Sequence, residues 1–231
     1  LVQDWGLFDL LRQSLPELPL HASTQMSLHT LGGACRAAEL GLERVVLARE
    51  LSRRDIAAIT RDCPAETEVF VHGALCMCYS GQCYLSAVIG QRSGNRGLCA
   101  QPCRLPYGYG RFDQNRYPLS LKDNCLVGDL ASLEAMGVAS VKLEGRMKRP
   151  EYVAAVTGVY RKALDTGRVS REQMNDLHRA FNRQGFTDGY YAGRIGPEMF
   201  GIREDTKEDT GWMKDVRQTY EAVENPLVPE R

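Results

Sequence analysis

The chain has 231 residues, and its 29 Lys and Arg residues balance 29 Asp and Glu residues, so the formal net charge is zero. A hydrophobic content of 43% is ordinary for a water-soluble protein. No apolar run approaches the ~20 residues that cross a bilayer, so we expect no membrane partner and a cytoplasmic location. Because Leu1 is not a Met and LVQD resembles the end of a strand, we expect a piece of a longer protein.

Short apolar runs alternate with segments in which apolar residues recur at helical spacing. This alternation predicts an α/β fold with parallel strands and helices outside the sheet. The runs are 1–4, 19–23, 44–48, 67–73 and 140–145, and the helical segments between them are 7–15, 28–40, 52–62 and 126–136. Ser52 is a predicted N-cap, and Gly41 and Gly137 stand where helices end.

Five such units match the last five of a TIM-type (β/α)8 barrel, provided that three more precede them. The alternative is an open five-stranded sheet, which is disfavoured because no Gly-rich phosphate loop follows the first strand. We expect the partial barrel to occupy 1–168, with a long Cys-rich insert at 74–122. A helix beginning at Pro150 follows, then a helical extension with a second helix (171–182) and a charged tail across 169–231.

Four cysteines of the insert form a C-x6-C and a C-x3-C pair: Cys76, Cys83, Cys99 and Cys103. Two thiol pairs brought together by one loop can supply four metal ligands. Structural zinc sites usually have tighter C-x2-C pairs, so the spacing favours an iron–sulfur cluster and leaves zinc as the alternative. Cys78 is a spare, and Cys35, Cys63 and Cys125 are expected to be small buried hydrophobes.

Polar residues follow the predicted strands, where the active sites of β/α barrels are built. They are Asp4, Gln25, Arg49, Glu50, His72, Glu144 and Arg146, with Lys122 and Asp123 at the end of the insert. For each residue alone, an ion-pair network that fills the barrel end is the stronger explanation, whereas the set as a whole favours an active site. His72 either faces the cysteines or is a hydrogen-bonded core histidine.

The insert also interleaves arginines with aromatic residues. From residue 91 to 117 there are five arginines and one acid, whereas nine acids oppose five basic residues from 197 to the end. Arginine forks suit phosphates and aromatic rings stack on unpaired bases, so we predict RNA contacts. The candidates are Arg92, Arg96, Arg104, Tyr107 and Tyr109. A solvated loop with locally packed tyrosines is the alternative.

Residues 68–86, EVFVHGALCMCYSGQCYLS, carry the pattern E-x-F-x2-G-[SA]-[LIVM]-C-x4-G-x-C-x-[LIVM]-S. This pattern is similar to the signature of the collagenase-like peptidases, family thirty-two among the peptidases of unknown catalytic type. The similarity continues through NRGLCAQPCR, LSLKD, VKLEGRMKRPEYV and FNRQGFTDGYY, and therefore covers nearly the whole chain. Two segments, RSGNRGLCAQPCRLPY and DGYYAGRIGPEMFGIRED, most resemble the large branch of this family that hydroxylates ribosomal RNA.

The resemblance implies a TIM-type barrel and a 4Fe–4S cluster on the four cysteines. It also implies oxygen-independent hydroxylation of pyrimidines in rRNA or tRNA, with prephenate implicated as the hydroxyl donor. On this basis Arg49, Lys142, Arg146 and Gln25 are candidates for binding the small carboxylate donor. Glu50, His72 and Glu144 are the candidate catalytic residues for proton transfer.

Two other functions stay open at this stage. The family name implies a peptidase of collagen-like substrates, although HExxH and GxSxG are absent and Cys76 near His72 is the only nucleophile–base pair. A metal-bound scaffold that binds a partner protein without catalysis is the third possibility.

Overall fold

The computed structural model describes residues 1–109, 112–202 and 209–221. Its strands are β1 (His21–Ala22), β2 (Arg44–Val46), β3 (Glu66–Ala74), β4 (Tyr107–Tyr109), β5 (Phe112–Arg116), β6 (Asp123–Cys125), β7 (Ser140–Leu143) and β8 (Phe186–Thr187). Its helices are α1 (Trp5–Ser14), α2 (Leu31–Glu39), α3 (Arg53–Asp62), α4 (Leu85–Gly90), α5 (Leu130–Ala135), α6 (Pro150–Thr166), α7 (Arg171–Ala180) and α8 (Thr210–Glu221). Mixed α/β architecture is therefore confirmed.

All five predicted strands pair in parallel and in chain order. Val2 forms a bridge with Ala22, β1 pairs with β2, β2 with β3, and β3 with β7. Val45, Val69 and Val71 lie in the main hydrophobic core on one face of the sheet, together with residues of the helices. This parallel row places the carboxyl ends of the strands along a single edge, where the long insert begins.

Three short features depart from the predicted pattern. β6 runs antiparallel to the end of β3, with Gly73 opposite Asn124, and β8 pairs in parallel with β6. β4 and β5 form a separate two-stranded hairpin. These strands have two to five residues and polar sequences, so they lack the apolar run by which the longer strands are recognised.

Local signals at the helix ends behave as the sequence predicts. Ser52 caps α3 in a capping box with Asp55, and Pro150 occupies the first turn of α6. Gly41 and Gly137 have positive φ angles of 100° and 88° just after α2 and α5. The segment predicted as a helix at 126–136 begins with a 3₁₀ turn at Val127–Asp129 before α5.

The helical extension packs on α6 through α7 and α8. Tyr152, Val156, Tyr160 and Ala163 of α6 are buried in the main hydrophobic core. Within the described ranges, no helix is long and apolar enough to cross a bilayer. The charged tail was predicted across residues that fall partly outside the described ranges.

Candidate functional site

The cysteine loop, residues 75–106, is anchored on the strand ends by side-chain hydrogen bonds. Both carboxylate oxygens of Glu50 accept from Ser80, one from its amide and one from its hydroxyl, at 2.9 Å each. Ser27 Oγ donates to the Ser80 carbonyl at 2.8 Å. Gly81 has φ +81°, and a Cβ there would collide with the Gln25 carbonyl and the Ser27 hydroxyl. The sequence between the first two cysteines therefore fits closely against the 3₁₀ turn at Thr24–Met26.

The second half of the loop, which carries Cys99 and Cys103, is tied to the first half. Asn95 Nδ2 donates to the Gly81 carbonyl at 3.0 Å, and Gln3 Nε2 donates to the Asn95 carbonyl at 2.7 Å. Gln25 Nε2 donates to the Gly94 carbonyl at 3.3 Å. Gln25, a candidate substrate ligand, thus holds the loop through its side-chain amide.

The four predicted cysteine ligands interact with one another electrostatically. Burial raises the pKa of the Cys76 and Cys103 thiols, and the neighbouring cysteines add to that rise in both cases. All eight cysteines of the chain are free thiols. In the described ranges no three His, Cys, Asp or Glu side chains are arranged to hold a metal ion. The four thiols are therefore neighbours without forming a compact site for one ion.

Arg49 joins the cysteines to the sheet. Its Nη1 lies 3.8 Å from Cys76 Sγ, and its Nη2 donates to Glu144 Oε2 at 2.9 Å. The guanidinium carbon lies 3.9 Å from the centre of the Phe70 ring. The positive charge of Arg49 favours the Cys76 thiolate and opposes the effect of burial on the pKa of that thiol.

Arg104 also lies near the cysteines and follows Cys103 in the sequence. It donates to the carbonyls of Leu75 and Leu121 at 2.6 and 2.5 Å, and to Ser120 Oγ at 3.2 Å. Burial lowers the pKa of its guanidinium, and Cys103 and Cys76 oppose that change. Arg104 was predicted to bind RNA, but its donors are occupied by backbone carbonyls, so its surroundings favour a structural role.

His72 has 1% of its surface exposed. Its ring packs against Tyr160, Phe186 and Tyr152, with centroids 5.3, 5.3 and 6.1 Å away. Nδ1 lies 3.2 Å from the Tyr160 hydroxyl. These surroundings favour the interpretation of His72 as a hydrogen-bonded core histidine over a residue that faces the cysteines.

The remaining polar candidates are also engaged, except at Arg146. Lys142 Nζ donates to Glu68 Oε1 at 2.9 Å on the strand face below the loop. Glu144 Oε1 accepts from the amide of Arg146 at 2.9 Å. The Arg146 side chain is exposed beside Gly97 and forms no ion pair within the described ranges. Asp4 accepts from the Leu7 amide as the N-cap of α1.

The predicted RNA contacts differ in accessibility. Arg92 and Arg96 are exposed, and Arg92 Nε donates to the Leu98 carbonyl at 3.0 Å. The hydroxyl of Tyr107 donates to the Pro102 carbonyl at 2.9 Å. The side chain of Tyr109 lies outside the described part of the chain, as does Arg111.

Two features of the site were missed from the sequence. Tyr190 lies near Cys76, Glu50 and Tyr79, all of which, after burial, raise the pKa of its phenol. Arg183 Nη1 donates to Asp123 Oδ1 at 2.6 Å, and both side chains are almost fully buried. The DGYY segment entered only through the family resemblance, which does not report that Tyr190 lies near Cys76, and Asp123 was noted only as the end of the insert.

Known proteins resemble this chain over the region that contains the cysteine loop and the strand ends. The sequence model described as peptidase family U32 matches residues 1–200. A 23S rRNA 5-hydroxycytidine synthase of Escherichia coli strain K12 is 44% identical over 78% of this chain and 27% of its own length. The tRNA hydroxylation protein P1 of Bacillus subtilis is 36% identical over 87% of this chain and 52% of its own length.

A protein named collagenase, from Porphyromonas gingivalis, is 37% identical over 77% of the chain and 49% of its own length. The chain thus spans between about a quarter and about half of these relatives. No solved structure gives a significant match. Because the family match covers most of the sequence, including the cysteine loop and the strand ends, the chain belongs to peptidase family U32.

Proposed function

We propose that this chain is the catalytic part of an iron–sulfur-dependent RNA hydroxylase that acts on pyrimidines of rRNA or tRNA. The observation that carries the proposal is the cysteine loop, in which the four thiols are close enough to affect one another's pKa values. Arg49 and Arg104 lie near these thiols. The similarity to an rRNA 5-hydroxycytidine synthase and to a tRNA hydroxylation protein supports the substrate class. RNA as substrate would place the activity in the cytoplasm.

The donor set fits a 4Fe–4S cluster in its chemistry. Such a cluster binds its four thiolates through four separate iron atoms, so the thiols need not meet around one ion, as they must for zinc. The two arginines favour thiolates, and the Gln101 amide donates to Cys99 Sγ at 3.3 Å. When bound, the cluster would supply redox or Lewis-acid chemistry at the strand ends.

The partial TIM-type barrel belongs to the same proposal. Five parallel strands in chain order have the topology of consecutive β/α units. One face of this sheet carries Glu68, Phe70 and Lys142, and Lys142 contacts both Glu68 and the Phe70 ring. A closed barrel would enclose this face and leave the cysteine loop above its carboxyl-terminal mouth.

Three cations at this mouth are candidates for binding a small carboxylate donor such as prephenate. The best of them is the one that has no ion pair within the described residues. Arg49 is held by Glu144, and Lys142 by Glu68. The exposed guanidinium of Arg146 lies close to Gly97, between the two cysteine pairs in the sequence. Arg146 is therefore the best candidate for the carboxylate contact.

The peptidase alternative requires a base beside a nucleophilic thiol. Arg49 Nη1 lies 3.8 Å from Cys76 Sγ, and His72 packs among aromatic rings. This arrangement gives the peptidase alternative no specific support.

The test is Cys83→Ala in the full-length protein, with Cys35→Ala as a matched thiol control outside the loop. We expect Cys83→Ala to lose iron, sulfide and visible absorbance during anaerobic purification, and the cells to lose hydroxylated pyrimidines in RNA. Nucleoside mass spectrometry and metal analysis provide the two measurements. Unchanged hydroxypyrimidine levels in Cys83→Ala cells would contradict the proposed function.

A further inference from the structure

Large aromatic and apolar side chains are exposed around the cysteine loop. Tyr79 and Tyr84 are 66% and 64% exposed, and Val88 and Ile89 of α4 are 80% and 60% exposed. We call these four residues, together with His29, the tyrosine surface. Isolated exposed apolar residues are normal, but several on one short segment mark an interaction site.

The positions of His29 and Tyr79 in the tyrosine surface are fixed by contacts within the chain. The rings of His29 and Tyr79 are stacked, with centroids 6.0 Å apart and planes 28° apart. His29 Nδ1 donates to the Ser27 carbonyl at 2.7 Å, and Ser27 Oγ donates to the Ser80 carbonyl. Because the turn that carries Tyr79 is fixed by Glu50 through Ser80, its ring can bind a partner at a low cost in conformational entropy.

The charge around the tyrosine surface fits an anionic partner. Residues 74–109 contain three arginines and neither Asp nor Glu. The exposed Arg96 follows Asn95, whose side chain is bonded to Gly81 in the turn after Tyr79. Of the two nearby carboxylates, Glu144 is paired with Arg49, whereas Glu50 keeps its charge and accepts from the amide and hydroxyl of Ser80. Aromatic faces beside arginines are the recognition elements for single-stranded nucleic acid.

We infer that the tyrosine surface binds unpaired nucleotides of the RNA substrate, with Tyr79 as the main stacking platform and Tyr84 as a second one. This inference rests on the proposed function. It assigns single-stranded or loop RNA as the substrate class, since paired bases in a duplex offer no free face to a side chain. Arg92 and Arg96 bind phosphates next to the stacked bases.

The experiment compares Tyr79→Leu with Tyr79→Phe in the full-length, cluster-loaded protein. Leu keeps the apolar character and removes the aromatic face, whereas Phe keeps the ring and removes the hydroxyl. The probe is fluorescein-labelled oligouridine, alone or annealed to oligoadenosine, and anisotropy gives the dissociation constant at several salt concentrations. We expect Tyr79→Leu to weaken single-strand binding roughly 5- to 150-fold, and Tyr79→Phe to bind like the wild type.

Annealing the probe should weaken binding by the wild type, and Tyr79→Leu should make little further difference to the duplex. Arg96→Ala should instead weaken both probes and reduce the salt dependence. Equal single-strand affinity of Tyr79→Leu and wild type overturns the inference, even where the wild type hydroxylates RNA. A different outcome is also informative: Tyr79→Leu loses affinity for the single strand, while Cys83→Ala cells keep normal hydroxypyrimidine levels. In that case the RNA-binding inference stands and the proposed hydroxylation is refuted.

Discussion

The protonation of His72 can be tested against its position in the core. The Tyr160 hydroxyl donates its one hydrogen to the Val71 carbonyl at 2.8 Å, so it accepts from Nδ1–H of His72. This fixes the tautomer and leaves Nε2 as a buried nitrogen without a hydrogen-bond partner in the described structure. A proton on Nε2 would therefore place a positive charge where neither water nor an acceptor stabilises it.

The magnitude follows from the pKa. Burial, with a smaller contribution from Lys148, lowers the pKa of His72 from 6.5 to about 4. Each tenfold change in proton affinity corresponds to about 1.4 kcal/mol, so the difference corresponds to about 3 kcal/mol. Since the folded pKa is the lower one, the unfolded chain binds the proton first. The contribution to stability is complete above about pH 6.5 and is lost as the pH falls towards about 4.

The perturbation is His72→Gln, with His178→Gln on the exposed face of α7 as the control. Urea unfolding followed by circular dichroism between about pH 7 and pH 4 gives the free energy of unfolding. We expect the wild type and His178→Gln to lose about 3 kcal/mol more than His72→Gln across this interval. Parallel pH profiles for wild type and His72→Gln, or an NMR titration of His72 near 6.5, would refute the reasoning.

Two further predictions concern the buried ion pair and the loop. Arg183→Met leaves Asp123 unpaired in the core and should lower the free energy of unfolding, measured in urea, by about 3–5 kcal/mol. The double variant that adds Asp123→Asn should recover part of this stability. Gly81→Ala should reduce the iron content, because its Cβ meets the Gln25 carbonyl at a positive φ, whereas Gly90→Ala, with open space around its Cβ, should not. Equal iron content in the two glycine variants would contradict the close fit of the loop.

The parallel strands were predictable because burial on both faces imposes apolar runs. Val45, Val69 and Val71 are buried among helices and neighbouring strands, and their sequence shows it. β6 was not predictable in this way, since its first two residues are the buried polar pair Asp123 and Asn124. Their burial is stabilised by bonds to Arg183 and to the Phe70 carbonyl. Such bonds depend on residues about 60 positions away, which local patterns do not report.

The proximity of the four thiols was predictable because they lie in two pairs within one insert, and their role as metal ligands stays a prediction. The roles of the arginines were not predictable, because an exposed and a buried arginine have the same sequence signal. Arg104 and Arg96 lie eight residues apart in one insert. Only the three-dimensional structure shows that Arg104 donates to the Leu75 and Leu121 carbonyls while Arg96 is exposed.

The hydrogen bonds at the strand ends also constrain Glu50 and Glu144 as proton acceptors in the proposed reaction. Both oxygens of Glu50 accept from Ser80, and Glu144 accepts from Arg49 with one oxygen and from the Arg146 amide with the other. These bonds have positional roles, because Glu50 holds the turn that carries Ser80 and Glu144 holds Arg49 beside Cys76. A proton on either carboxylate would therefore weaken bonds that position the cysteine loop or Arg49, since a neutral carboxyl group is a poorer acceptor than a carboxylate.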